Sequence, residues 1–197
     1  MSLAAIYADP FCASSIQGIR QRLKAATATA HHALDECLSG LDLTTTAHYR
    51  RFLQASAAAV LPLGTALEQA GVGELVDDWA QRRRAPAITA DLADLSGMVA
   101  PMRLNSRSLD RSFVFGTLYV LEGSRLGAAY LLRIVAAAAD PRVRRATRYL
   151  RHGAGQGLWP SFLARLAVEP VTAEGENAMI ESARGAFAML VTAVACA

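Results

Sequence analysis

The chain has 197 residues, a net charge of +3 and a composition led by alanine and leucine, with 7% aromatics. That length gives one domain, or at most two small ones, with a proper core. The charge is too small and too spread to argue for nucleic acid, and the modest β-branched content favours an all-α fold, a compact helical bundle.

Cys12, Cys37 and Cys196 are odd in number and lack metal-ligand spacing. They are read as reduced thiols of a cytoplasmic protein. The first fifteen residues carry Asp9 and Pro10 without a basic leader or a long apolar run. They are expected to be a flexible extension rather than a signal peptide, leaving residues 16–197 as one helical domain.

A first helix is predicted from Ile16 to Leu38, because Ile19, Leu23, Ala26, Ala30, Leu34 and Leu38 recur at helical spacing. Thr44 to Thr46 offer caps for a second helix, which Pro62 should kink or break before it ends near Gly71. A short helix from Glu74 to Arg83 follows, then another beyond Pro86 that Thr89 would cap. Arg82, Arg83 and Arg84 form a basic knot, read as a solvated helix end, with a partner site as the other reading.

One long helix is expected from Leu109 to Ala139, stopped by Asp140 and Pro141. Its apolar run could span a membrane by length, but Glu122, Arg125 and Arg133 interrupt it, so it is read as a buried core helix with no membrane partner. A basic segment from Arg142 leads through the glycine-rich stretch His152 to Gly157 into a helix from Trp159 to Val168. Thr172 opens the last helix, with Met179, Ala183, Ala186, Phe187 and Leu190 on one side.

Two features carry chemistry. On the first helix, Lys24, His31 and Asp35 lie along one face, so Asp35 can accept a hydrogen bond from the imidazole. This suits a metal-ligating histidine whose other nitrogen is held by a carboxylate, with a lysine near for an anionic group. It equally suits a boundary histidine flanked by surface charges. His32, about 100° round the helix, is read as solvent-facing.

On the long helix, Gly123 and Gly127 are one turn apart and Ala128 follows, leaving backbone with little side chain over it. Close helix packing explains such a strip, and so does a flat ligand lying against the main chain. Taken together, the histidine and the bare strip describe a slot for a metal macrocycle.

The pattern Leu23-Lys24-Ala25-Ala26-Thr27-x-x-x-His31-x-x-x-Asp35 resembles the first helix of heme oxygenases. The run from Leu118 through Tyr119, Glu122, Gly123, Ser124, Gly127 and Ala128 resembles that family's kinked distal helix in its bacterial form. The resemblance implies cleavage of heme to biliverdin, carbon monoxide and ferrous iron, with heme as both cofactor and substrate. Dioxygen and electrons from an external donor, such as a ferredoxin or a reductase, complete the reaction. By the same resemblance His31 would ligate the iron, Asp35 would orient it, and Lys24 would meet a propionate. Tyr119, Ala128 and Phe187 would touch the ring. The family's other propionate-binding bases do not align cleanly with this chain, and Arg133 is one candidate. Gly123 and Gly127 would crowd the bound oxygen, and ordered water near Ser124 would deliver protons. Arg165 is a second candidate for a propionate, and Glu122 is read as an interhelical charge rather than an acid catalyst. Members that accompany bacteriophytochromes are closest in pattern, which makes such a photoreceptor a candidate recipient of biliverdin.

The mammalian distal helix carries aspartate at the position of Ser124 and glycine at Ala128, so the water network here would be built differently. Three other classes stay open at this point. A non-catalytic heme or bilin carrier would use the same slot, though a bilin carrier needs no iron ligand. A thiaminase-like enzyme of the same bundle needs a cysteine nucleophile, which Cys12, Cys37 and Cys196 are poorly placed to supply. In a purely structural protein the glycines would be packing alone.

Overall fold

The helical spacing of the first forty residues produces α1, Pro10–Ser39, in a computed structural model that describes residues 10–104 and 108–196. Residues 10–15 are therefore helical rather than part of an extension; residues 1–9 of that extension lie outside the described residues. From Gly18 on, α1 turns Ile19 and Leu23 into the core and leaves Arg20, Lys24, His31 and Asp35 exposed.

Helix α2, Thr46–Gln69, opens on Thr45, whose hydroxyl accepts the His48 N–H. It runs unbroken through Pro62, against expectation. Proline at 62 cannot supply a donor to the carbonyl four residues back. That carbonyl, Ala58 O, instead accepts the Met102 N–H at 2.9 Å from the segment crossing α2. The lost bond is thus replaced by a tertiary one, and the helix has no orphan to bend around.

The short helix expected at 74–83 is two single turns, α3 (Val72–Leu75) and α4 (Trp79–Arg82). Helix α5, Ala85–Asp94, starts ahead of Thr89, because Pro86 sits in its first turn, where a missing donor costs nothing. The expected long helix is divided into α6, Arg111–Gly123, and α7, Arg125–Ala136, meeting at Ser124. The basic segment folds as the single turns α8 (Pro141–Arg145) and α9 (Arg148–Arg151). Then come α10, Leu158–Ala167, and α11, Ala173–Cys196, with the Thr172 hydroxyl accepting the Gly175 N–H at 3.1 Å.

Helix α11 packs along α1, α2 and α6 and is the spine of the larger core cluster, with Met179, Ala183 and Phe187 against Phe113, Phe115 and Leu118. By length and hydropathy alone α11 is apolar enough to cross a membrane, but its apolar face is used here in the core. Its approach to α6 depends on Gly116, where an added Cβ would overlap the Met179 carbonyl oxygen and stand 2.8 Å from the Ser182 Cβ. A smaller cluster gathers Tyr49, Phe52, Ile88, Val135, Val143 and Tyr149 from α2, α5, α7, α8 and α9.

The segment expected to be one buried helix has two characters. Helix α6 buries all of Phe113 to Leu118, whereas α7 buries only Val135. The smaller cluster holds α7 through one edge, and its other faces stay open.

Candidate functional site

On α1, the His31 Nδ1 stands 2.9 Å from Asp35 Oδ2, and the two side chains are 64% and 61% exposed. The carboxylate thus fixes the ring from one side and leaves Nε2 for an outside partner. The Phe187 ring lies 5.8 Å from the imidazole at 59°, which sets His31 against the body of the protein. His32 makes a parallel pair with Glu36 at 3.4 Å but is 77% exposed, and among the described residues no ring packs on it. Geometry therefore separates two histidines that adjacency in sequence leaves ambiguous. Lys24 is exposed on the same helix, two turns before His31. Thr27 is tucked in, donating its hydroxyl to Leu23 O at 2.7 Å.

The second feature is the break between α6 and α7. Ser124 holds helical angles, φ −62° and ψ −18°, and its N–H closes the last turn of α6 on Val120 O. An added Cβ at Gly123 would meet the Trp159 ring at 3.7 Å, ordinary contact. One at Gly127 would meet nothing within 4 Å. The two glycines therefore do not form one uniform strip: Gly123 backs onto α10, and Gly127 opens outward. Beside Gly127, Leu126 and Tyr130 are 64% and 62% exposed, an apolar surface left open among the described residues. Tyr119 packs on Trp159 at 5.6 Å, and its phenol is pushed up by burial, against which the nearby Arg20 acts.

Behind the break lies a charge cluster that sequence reading missed. Arg82 and Arg84, expected at a solvated helix end, are both buried. Arg82 donates to both Asp78 oxygens, to Glu122 Oε2 at 2.7 Å and to Leu158 O at 2.8 Å. Glu122, 1% exposed, also takes Arg125 Nε on Oε2 at 2.8 Å and a second Arg125 nitrogen on Oε1 at 2.9 Å. Arg125 in turn donates to Arg82 O and His152 O, each at 2.9 Å. Arg84 donates to Leu121 O and, at 3.0 Å, to Ser124 Oγ. Only Arg83 behaves as expected, exposed and paired with Glu68 at 2.9 Å. Desolvation, with Arg125 and Arg84 adding positive potential, holds the His152 imidazole below its usual range. Burial draws Arg125 down against its Glu122 bonds.

Arg133 and Arg165, the other basic candidates, are disposed differently. Arg133 is exposed on α7, its Nε on Ala129 O at 3.4 Å within its own helix. Arg165 is engaged already: it donates to Leu75 O at 2.9 Å, pairs with Glu169 at 2.8 Å, and lies 5.1 Å over the Phe115 ring. A cavity of about 120 Å³ lies behind α6, bounded by Val60, Trp79, Arg82, Leu118 and Glu122, away from His31 and Gly127. Among the described residues no three His, Cys, Asp or Glu side chains gather into a metal cage. A metal taken up at His31 would bring its other ligands with it.

The heme oxygenase family model matches residues 17–195. Over 181 residues the chain is 32% identical to heme oxygenase PigA of Pseudomonas aeruginosa, covering 88% of this chain and 90% of that protein. The chain belongs to the heme oxygenase family. Its function is that family's, and it is an enzyme of that type. Two solved heme oxygenases share the fold. The NO- and CO-bound enzyme from Neisseria meningitidis superposes with a TM-score of 0.68 at 23% identity, over 89% of each chain. The enzyme from Leptospira interrogans gives 0.72 at 14% identity, over 91% of this chain and 99% of that one. The residues of this heme oxygenase fit a flat iron macrocycle on three counts. His31 is exposed and already oriented by Asp35, Gly127 leaves its backbone uncovered, and Leu126 and Tyr130 offer apolar area that the described residues leave exposed.

Proposed function

We propose that this heme oxygenase takes heme between α1 and α7, with His31 as the iron ligand, and converts it to biliverdin, carbon monoxide and ferrous iron. The observation that carries the reading is the His31–Asp35 pair at 2.9 Å, exposed on α1 beside Phe187. Bound heme would supply the iron for oxygen activation and the ring that is opened, with dioxygen and an external ferredoxin- or reductase-type donor as co-reactants. The protein's own part is binding and orientation. Asp35 holds the His31 Nδ1 proton and so presents Nε2 outward. Lys24 supplies a cation for a propionate at the outer edge, and exposed Arg133 on α7 is available for the other.

Gly127 lets the α7 backbone approach the ring, Ala128 keeps the next position small, and Leu126 and Tyr130 exclude water from its rim. At Ser124 the hydroxyl proton goes to Leu121 O at 2.8 Å, and Arg84 occupies one of its lone pairs. Its remaining lone pair can accept from water, so the hydroxyl orders a water rather than donating a proton itself. The enzyme would work in the cytoplasm, with biliverdin passed on, a bacteriophytochrome being a suitable recipient.

Optical titration with hemin, followed by ascorbate in air, tests this. A sharp Soret band saturating at one equivalent, decaying to a bilin spectrum, is the expected result. His31→Ala should lower hemin affinity at least about tenfold and stop ring opening, as loss of a metal's only protein ligand implies. Unchanged binding and turnover in that variant would reject His31 as ligand.

A further inference from the structure

Where α6 stops, the carbonyl of Leu121 loses the helical donor four residues on, because α7 starts afresh at Arg125. A freed carbonyl at a buried helix end needs another donor. Leu121 O receives two, the Ser124 hydroxyl and the guanidinium of Arg84. The same guanidinium reaches Ser124 Oγ at 3.0 Å, so one planar group ties both sides of the break. Arg84 is 7% exposed, and among the described residues it has no carboxylate partner. Its charge is instead matched by the carbonyl end of α6 and by the Tyr149 ring, 5.3 Å away. Arg82, one residue beyond Arg83, closes the arrangement from α4 through Glu122 and Arg125.

We propose that Arg84 is a positioning residue for the reaction. It fixes the backbone at the α6–α7 break and thereby sets where Leu126, Gly127 and Tyr130 stand relative to heme. The inference rests on the heme reading above only in its last step; that Arg84 holds the break is a property of the protein without ligand. Because the donors of a rigid fork are held on Leu121 O and Ser124 Oγ with the Tyr149 ring against the guanidinium, the break is preorganised rather than formed on binding.

The test uses the full chain as wild type, Arg84→Met and Arg84→Lys, with three readouts: amide exchange without ligand, hemin affinity, and the rate of bilin formation. In Arg84→Met, amides 124 and 128–131 should exchange at least about tenfold faster while those of α2 and α11 do not change, since the break loosens locally. Hemin affinity should stay within about threefold, because the α1 ligand and its partner are untouched. Bilin formation by fully loaded protein should fall at least about tenfold, the scale of effect for displaced positioning groups. Arg84→Lys retains a donor for Leu121 O and should recover part of both the exchange protection and the rate. If Arg84→Met does not fold, Arg84→Lys together with Ser124→Ala decides: each should raise exchange at 124 and 128–131 and slow bilin formation at full loading. Unchanged exchange at the break, or a rate that falls only with the fraction of hemin bound, overturns the proposal. A wild-type protein that binds no hemin overturns the heme reading instead, and the exchange measurement still decides what Arg84 holds.

Discussion

At the residue scale, the glycines divide by what a methyl group would meet. At Gly116 it would overlap the Met179 carbonyl and crowd Ser182, so α6 and α11 would have to part. Gly116→Ala should cost about 1–3 kcal/mol, the range for overpacking a tight core, read by urea denaturation. At Gly127 the same methyl meets nothing within 4 Å. Gly127→Ala should leave the chain as stable, or roughly 0.5–1 kcal/mol more so by helix propensity, yet slow bilin formation because it covers backbone meant for the ligand. If Gly127→Ala destabilised like Gly116→Ala, the open-face account would fail. Sequence picks out Gly123 and Gly127 by their spacing but not Gly116, since nothing local tells which glycine another helix will press against. His31 and Asp35 were legible for the opposite reason: their pairing is made within one helix, where spacing alone sets distance.

At the scale of elements, the basic knot shows why charge runs mislead. A helix end would have turned Arg82, Arg83 and Arg84 outward in a fan, but the chain leaves the helix at Arg83, where φ is −61° and ψ 115°. Extended backbone sends alternate side chains to opposite sides. Arg82 and Arg84 therefore both enter the protein while Arg83 faces solvent, and the acid that Arg82 needs, Glu122, is forty residues away in sequence. No local signal carries that pairing. Its energetic weight follows from burial: removing one partner of a fully buried ion cluster leaves the other uncompensated. Glu122→Gln, which keeps the shape and deletes the charge between Arg82 and Arg125, should lower unfolding free energy by about 3–5 kcal/mol. A loss under about 1 kcal/mol would mean that Asp78 alone balances both arginines. The unbroken α2 has a similar origin, since the donor that replaces the one Pro62 lacks comes from Met102, outside the helix.

At the scale of the whole molecule, stability is unevenly shared in a way that suits a ligand entering edge-on. Helices α2, α6 and α11 carry the larger core, with Ala59, Leu67, Phe115, Leu118 and Ala183 fully buried. Helix α7 contributes Val135 and otherwise shows Leu126 and Tyr130 to water. Segments with few buried contacts open first. Without ligand, amides of α7 should therefore exchange faster than those of α6, although the two were continuous in sequence expectation. Heme seated between α1 and α7 would cover the exposed apolar residues and stabilise only the state that binds it. Equimolar hemin should accordingly protect amides around 28–35 on α1 and 124–131 on α7, and leave α5 and the Gln69–Val76 joint unchanged. Protection spread evenly over the chain would indicate general stabilisation without a defined site. Protection centred on the cavity between Trp79 and Leu118 would move the ligand to the far side of α6. The α7 half of this pattern follows from exposed area, so it tests the placement of the site separately from the identity of the family.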